Sequence, residues 1–470
     1  MNNQSPHITI LGAGESGLGA ALLAQRQGAT VFVSDFGTIG PAQLRELEAA
    51  GIAYEMGGHD ENRILASDLV IKSPGIPDKA PLIKQLKASP NGPELIGEIE
   101  YAYRCMEQGR IVAITGSNGK TTTTMLIAQL LQHAGLDARA GGNLGTSFAR
   151  LLLEPATADT IYVLELSSFQ LDSIKDFRAE QALLLNITPD HLDRYEYQLD
   201  NYIDSKLRIF KNQGASDLAY YYGEDENIAR GLKRSPTKSQ MQMIREGLIP
   251  QSRPQDVARG LNPSRNDLTS GSAKKEISQS GASYNLAATP LKGRHNALNA
   301  RFAIAVATDL GLSPATIQAG LERFEPAAHR MEVIALINGV TYINDSKATN
   351  VDATRYALDA VETPLIWIAG GTDKGNDYDP LLPVARGRVR ALVCLGVDNA
   401  KLNAAFANDI PEIIETDSAE LAVQTAAKLA KAGDTVLLSP ACASFDLFRN
   451  YIDRGDQFRA AVLQLNTHNS

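Results

Sequence analysis

One stretch constrains this chain more than any other: Ile111 to Thr124, Ile-Val-Ala-Ile-Thr-Gly-Ser-Asn-Gly-Lys-Thr-Thr-Thr-Thr. It reads as a buried strand, a glycine turn and a helix start that carries a lysine. Gly116 and Gly119 let successive backbone N–H groups converge on phosphate oxygens, with Ser117 and Asn118 between them. Lys120 adds a point charge that can follow the phosphates. Thr121, followed by Thr122, puts a hydroxyl in the first helical turn, where Mg²⁺ takes a ligand. The longer phosphate-loop pattern has glycine where this chain has Ile114, so the match is to a shorter variant, Thr115-Gly116-x-x-Gly119-Lys120-Thr121. On these residues alone a plain glycine turn stays open as the alternative.

A chain of 470 residues has room for two to four domains with real cores, and three is the expectation. With 44% hydrophobic and 21% charged residues and a net charge of -9, the composition is that of a soluble globular protein. The acidic balance argues against nucleic acid or an anionic membrane as the main partner. No uncharged run approaches the length of a membrane span. Cys105, Cys394 and Cys442 are scattered and form no CxxC pair, which suggests neither a disulfide framework nor a zinc site and fits a reducing cytoplasm.

Three α/β stretches follow one another. The first opens with the strand His7-Ile8-Thr9-Ile10-Leu11, then Gly12-Ala13-Gly14-Glu15-Ser16-Gly17 and a helical run, and its second strand ends at Asp35. A GxGxxG turn with an acidic residue at the next strand end places a diphosphate on a helix N-terminus and a ribose hydroxyl on a carboxylate. Tight strand-to-helix packing without a ligand explains the same glycines. A further strand runs from Leu69 into Ser73-Pro74-Gly75 and would face the same crevice.

In the middle stretch Ile161-Tyr162-Val163-Leu164-Glu165 delivers a carboxylate at a strand end, and Gln181 to Asn186 leads into Asp190-His191. Beside a phosphate loop, such groups are placed to hold Mg²⁺, although Glu165 also suits a helix cap or the surface and His191 an ordinary histidine. Between about 235 and 280 the periodicity fails in a polar, turn-rich run that reads as an exposed insertion. The third stretch has strands at Thr341 to Asp345, Leu365 to Ala369, Ala391 to Gly396 and Thr435 to Ser439, each ending in polar, glycine-rich or small residues. That is how open α/β sheets build sites.

The phosphate-loop string, Gly142-Asn143-Leu144-Gly145, Glu165-Leu166-Ser167-Ser168, Asn186-Ile187-Thr188-Pro189-Asp190-His191-Leu192-Asp193-Arg194, Lys206, Gly293-Arg294-His295-Asn296, His329-Arg330, Asn344-Asp345-Ser346-Lys347-Ala348-Thr349-Asn350 and Leu438 to Asp446 stand in the order found in the Mur ligases. The chain resembles that family nearly end to end. Within it, Asp-Ser-Lys-Ala-Thr-Asn and Ser-Pro-Ala-Cys-Ala-Ser are similar to the branch that joins D-glutamate to UDP-N-acetylmuramoyl-L-alanine.

The resemblance implies three domains: a Rossmann-like one over 1–98 for the UDP-sugar, a central phosphate-loop ATPase domain over 99–326 and a Rossmann-like one over 327–470 for D-glutamate. GxGxxG then implies a uridine diphosphate and no NAD, with Ser16 and Gly17 at the diphosphate, Asp35 and Phe36 flanking the uridine, and Ser73 and Asn143 on the sugar side. Lys120 and two Mg²⁺ would serve ATP, with Thr121, Glu165 and His191 as metal ligands. Lys206, which by itself reads as a surface lysine, would carry a carbamate made from CO₂ and join them. Asn296, Arg330 and Asp345 match adenine-nucleotide positions, and Lys347, Thr349, Lys374, Ser444 and Phe445 match the D-glutamate pocket. The family's phenylalanine beside D-glutamate is Tyr451 here, which keeps the ring and adds a hydroxyl. A cytoplasmic monomer is expected.

Overall fold

The computed structural model describes residues 5–246, 276–279, 281–291, 293–373 and 375–467. Strand and helix alternate along the chain and build three mostly parallel sheets. The first consists of β1 (His7–Leu11), β2 (Thr30–Asp35), β3 (Ala53–Met56), β4 (Leu69–Lys72) and β5 (Glu94–Gly97), all parallel, in the order β3-β2-β1-β4-β5. The order reverses between β1 and β4, so the turns after these two strands open a crevice at the carboxyl edge.

The second sheet takes β6 (Arg110–Thr115), β7 (Ala138–Gly142), β8 (Ile161–Glu165), β9 (Gln181–Leu184), β10 (Leu218–Tyr222) and β11 (Gln240–Ile244), again all parallel, in the order β11-β10-β9-β6-β8-β7. β6 is central, and Ile111 to Thr115 on it are buried, as a strand covered on both faces must be. β11 lies inside the segment expected to be an aperiodic insertion. As an edge strand it exposes Gln240 through Met243 and buries only Ile244, so it lacks the apolar signature of its neighbours. The hairpin of β12 (Glu276–Gln279) and β13 (Ala282–Asn285) follows, and residues 247–275 and 280 of the expected insertion lie outside the described residues.

The third sheet contains β14 (Glu332–Ile337), β15 (Val340–Asn344), β16 (Leu365–Ala369), β17 (Val389–Leu395), β18 (Ile413–Thr416) and β19 (Thr435–Leu438), in the order β14-β15-β19-β16-β17-β18. Only the β14–β15 pair is antiparallel. Trp367 on β16 is buried and its indole N–H donates to the Ser439 carbonyl at 2.8 Å, which ties the core to the loop after β19. The first two sheets share one compact unit, and the third forms another.

Within the first unit, Glu98 opens the helix Glu98–Cys105 and is buried. Its Oε1 accepts the Ala149 N–H at 2.7 Å, while Oε2 meets no hydrogen-bond partner among the described residues. Burial pushes this carboxyl up to about 8, so Oε2 carries a proton at neutral pH. The folded protein thus holds the proton more tightly than the unfolded chain does. The stabilisation is complete below the usual carboxylate range and is lost as pH rises toward 8. Glu98→Gln is expected to gain on the wild type between about pH 5 and pH 8, on the order of 3 kcal/mol. Urea unfolding at the two pH values measures this, and a difference that stays constant contradicts it.

Candidate active site

The loop between β6 and the helix Lys120–His133 is held by the segment after β9. The Ser117 N–H donates to the Asn186 carbonyl at 2.9 Å, the Asn118 N–H to Asn186 Oδ1 at 2.8 Å, and Asn186 Nδ2 returns a bond to the Asn118 carbonyl at 3.0 Å. Ser117 Oγ donates to the Thr188 carbonyl at 2.8 Å and accepts its N–H at 2.9 Å. Asn186 therefore shapes the loop, a role not read from its sequence. Gly119 has φ 84°, and a Cβ there would stand 2.4 Å from Asn299 Oδ1, so only glycine fits.

Around this loop the charged groups converge. Lys120 Nζ donates to the carbonyls of Gly116 at 2.8 Å and Ser117 at 2.9 Å. Thr121 and Glu165 are both buried, and the threonine hydroxyl donates to Glu165 Oε2 at 2.7 Å. Asn143 orients the other carboxylate oxygen through Nδ2 at 3.0 Å, and its own N–H donates to the Glu165 carbonyl. Thr122 is half-buried in the same helical turn. A hydroxyl and a carboxylate on a phosphate cradle are hard oxygen donors, and they suit Mg²⁺, which draws its remaining ligands from water and substrate phosphates. Among the described residues no three His, Cys, Asp or Glu side chains form a ready-made metal cluster. The site fits an ion that arrives with a nucleotide.

His191 is exposed, in a left-handed turn with φ 52°, its ring edge-on to Phe169 at 5.1 Å and Nε2 3.6 Å from Asp190. Lys206 corrects the bland reading of a surface lysine. It lies on the inward face of the helix Leu199–Leu207, 1% exposed, with Nζ donating to the Gly116 carbonyl at 2.8 Å and 4.6 Å over the Tyr202 ring. Burial, and then the Lys120 charge, hold its amine well below the usual lysine range, against the opposing pull of Asp190, Asp172 and Glu165.

At the first sheet, a Cβ on Gly17 would stand 1.8 Å from the Gly12 carbonyl, so the helix Glu15–Arg26 can pack this closely on its turn only with glycine there. Ser16 is half-buried beside it, and Ser73 Oγ donates to the Gly12 carbonyl at 3.3 Å across the crevice. Asp35 accepts the Ala13 N–H at 2.7 Å and the Gly37 N–H at 2.8 Å, and Phe36 is 76% exposed. Arg194 donates to the carbonyls of Pro74 at 3.3 Å and Gly75 at 3.2 Å, with its guanidinium 4.1 Å over the Phe169 ring. It ties the crevice loop to the segment bearing His191, a function its sequence position did not disclose.

In the second unit, Asp345 directly follows β15 in a buried position, accepting the Ser439 hydroxyl at 3.0 Å and the Met331 N–H at 3.2 Å. Burial pushes it up to about 7, against the Arg330 charge nearby. Asn296 and Arg330 are half-buried. Lys347 Nζ stands 5.3 Å over the Tyr451 ring, Thr349 is half-buried with its N–H on the Lys347 carbonyl, Ser444 is buried and Phe445 is 69% exposed. Lys374 lies outside the described residues.

The loops carrying these groups share one anchor that the sequence did not single out. Arg454, 1% exposed on the helix Tyr451–Thr467, donates to Ser346 Oγ at 3.0 Å, the Ser346 carbonyl at 2.9 Å, and the carbonyls of Gly370 at 3.4 Å and Cys442 at 3.3 Å. A buried guanidinium with several fixed donors sets the spacing of three loops at once.

This arrangement of a shortened phosphate loop, a hydroxyl–carboxylate pair and a buried lysine lies in the second of three α/β sheets. Three family models match it in register: the Mur ligase MurD-like N-terminal domain over residues 6–97, the Mur ligase middle domain over 114–307 and the Mur ligase glutamate ligase domain over 329–442. The chain belongs to the Mur ligase family.

Among its relatives, proteins named UDP-N-acetylmuramoylalanine--D-glutamate ligase are 45% identical in Cytophaga hutchinsonii (98% of this chain and 99% of that protein) and 46% identical in Porphyromonas gingivalis (97% and 98%). Solved structures share the fold: UDP-N-acetylmuramate-alanine ligase from Thermotoga maritima at 17% identity and TM-score 0.60, covering 98% of this chain and 100% of that one, and the MurF ligase of the same organism in complex with ADP at 14% identity and 0.58, covering 93% and 95%. Among the described residues no helix is long and apolar enough to cross a membrane.

Proposed function

We propose that this chain is the ATP-dependent ligase that joins D-glutamate to UDP-N-acetylmuramoyl-L-alanine in peptidoglycan precursor synthesis. The observation that carries the energy-coupling half is the convergence of Lys120, Thr121, Glu165 and Lys206 on the loop at Gly116. The choice of substrates rests on the name its relatives carry at 39% to 46% identity over nearly their whole length.

A carboxylate is a poor electrophile, so the alanyl carboxylate attacks the γ-phosphorus of ATP, ADP leaves, and an acyl phosphate results. The amine of D-glutamate, having shed a proton, then attacks the acyl carbon and phosphate departs. Charge builds first on phosphoryl oxygens, where the Lys120 ammonium would act, since the Ser117 and Asn118 N–H groups are engaged by Asn186, and then on the carbonyl oxygen. Thr121, Glu165, His191 and a carbamylated Lys206 would hold two Mg²⁺, which neutralise phosphate charge when bound. Asn296, Arg330 and Asp345 are assigned to the adenine nucleotide. Lys347, Thr349, Lys374, Ser444 and Phe445 are assigned to D-glutamate, where two ammonium groups and a hydroxyl suit an amino acid with two carboxylates. Tyr451, whose ring underlies Lys347, belongs with them. Ser16, Gly17, Asp35, Phe36, Ser73 and Asn143 take the UDP-sugar. We place the enzyme in the cytoplasm as a monomer.

The test is phosphate release with UDP-N-acetylmuramoyl-L-alanine, ATP and each of several amino acids. Release dependent on D-glutamate is expected, and equal release with another amino acid overturns the acceptor assignment. Asp35→Ala should raise the KM for the UDP-sugar by about 10- to 100-fold, roughly 1.5 to 3 kcal/mol for a charge-assisted contact. An unchanged KM moves uridine recognition elsewhere.

A further inference from the structure

Beside Asp35 the first sheet carries a hydrogen-bond chain that packing alone does not require. Ser34 on β2 is fully buried and stands in register with Glu55 on β3. Its hydroxyl has one proton, and Glu55, whose carboxylate only accepts, takes it at 2.6 Å. The same oxygen lies 2.6 Å from Nδ1 of His59. Having given its proton to Glu55, Ser34 can meet that nitrogen only as an acceptor, so Nδ1 carries the hydrogen. Glu55 is itself fixed by the Asp60 N–H at 2.8 Å. The neutral imidazole therefore has a defined tautomer, with the lone pair on Nε2.

Nε2 is bonded by no described residue, and the ring is half-exposed. Its neighbour is the ring of Phe36, 5.7 Å away between centroids and 76% exposed. Both oxygens of Asp35, meanwhile, already hold backbone N–H groups of the turn after β1 and of Gly37. A fixed acceptor nitrogen and an open aromatic face thus stand together at the carboxyl edge where a nucleotide base would lie.

We infer that His59 reads the base of the nucleotide substrate, its Nε2 lone pair accepting the imide N–H of uracil while Phe36 offers a stacking face. The inference rests on the reading of Asp35 and Phe36 as the uridine side. Uracil presents an N–H between two carbonyls. Cytosine has a bare acceptor nitrogen at that place, and two lone pairs repel. The device selects an imide base over an amidine one, and Ser34 and Glu55 are positioning residues that set the tautomer.

The test measures binding of UDP, CDP and N3-methyl-UDP to the full chain by calorimetry. UDP is expected to bind about 10-fold or more tightly than the other two, the cost of one unmet buried hydrogen bond. His59→Phe should weaken UDP by about that factor and leave CDP within about twofold, so the preference collapses. Phe36→Ala should weaken UDP and CDP alike. A wild type that binds N3-methyl-UDP as well as UDP overturns the inference without any variant, and so does His59→Phe with the UDP-to-CDP ratio intact. If instead the wild type binds none of the three, the UDP-sugar assignment of this sheet itself fails.

Discussion

Lys120→Ala is expected to fold normally and to turn over at least about 10³-fold more slowly, roughly 4 kcal/mol of lost transition-state stabilisation. Its ammonium is held by two carbonyls of its own loop, Gly116 and Ser117, and the next residue, Thr121, bonds Glu165. On the phosphate-loop assignment, that placement would put a positive charge where the γ-phosphoryl group spreads negative charge over its oxygens during transfer. The side chain contributes little to packing, because β6 and the helix Lys120–His133 bury Ile111 to Thr115, Leu126, Ile127 and Leu130 without it. The thermal midpoint should therefore move little while kcat collapses. Lys120→Arg should recover only a minor share, since a planar guanidinium does not reproduce a compact charge seated on two carbonyls. Near-normal turnover in a folded Lys120→Ala protein would reject the phosphate-loop assignment.

Strands buried over most of their length were legible because apolar residues dominate them: His7–Leu11, Ile161–Glu165 and Leu365–Ala369 appear with the bounds their residues suggested. β7, Ala-Arg-Ala-Gly-Gly, carries no β-branched residue and gave no signal. It is a strand because its backbone pairs along the edge of β8. β11 was concealed for the opposite reason, since an exposed edge tolerates a polar sequence.

In the site, glycine and strand-end motifs pointed to Gly116, Gly119, Lys120, Thr121 and Glu165 because steric and charge demands act on neighbouring residues there. Asn186, Arg194 and Arg454 remained hidden, because each works through carbonyls brought near by tertiary folding, which leave no local pattern. Lys206 was legible only by resemblance. Its helix has an inward face, but nothing local distinguishes a lysine buried there from one that reaches past the rim into water.

Lys206 carries the other large expected effect. Lys206→Ala should lose at least about 10² in turnover, roughly 3 kcal/mol. A lysine 1% exposed, bonded to the loop carbonyl of Gly116 and facing the charge of Lys120, is poorly served as an ammonium. The neutral amine that burial favours is the form that attacks CO₂, a nitrogen–carbon bond replacing an N–H and the released proton leaving to solvent. The product would be a carbamate, an anionic oxygen donor in place of the neutral amine, and two Mg²⁺ would need more such oxygens than Glu165 supplies. Two readouts separate this from loss of a packed side chain. Formate or acetate should restore part of the Lys206→Ala activity by occupying the vacated oxygen position, and ¹³C-bicarbonate should label the wild type with a carbamate resonance absent from the variant. Lys206→Arg should stay inactive, because guanidinium remains cationic and cannot take up CO₂ in this role. Full activity of Lys206→Arg, or a wild type with no such resonance during turnover, would remove the carbamate from the mechanism and leave Lys206 as a buried brace for the phosphate loop.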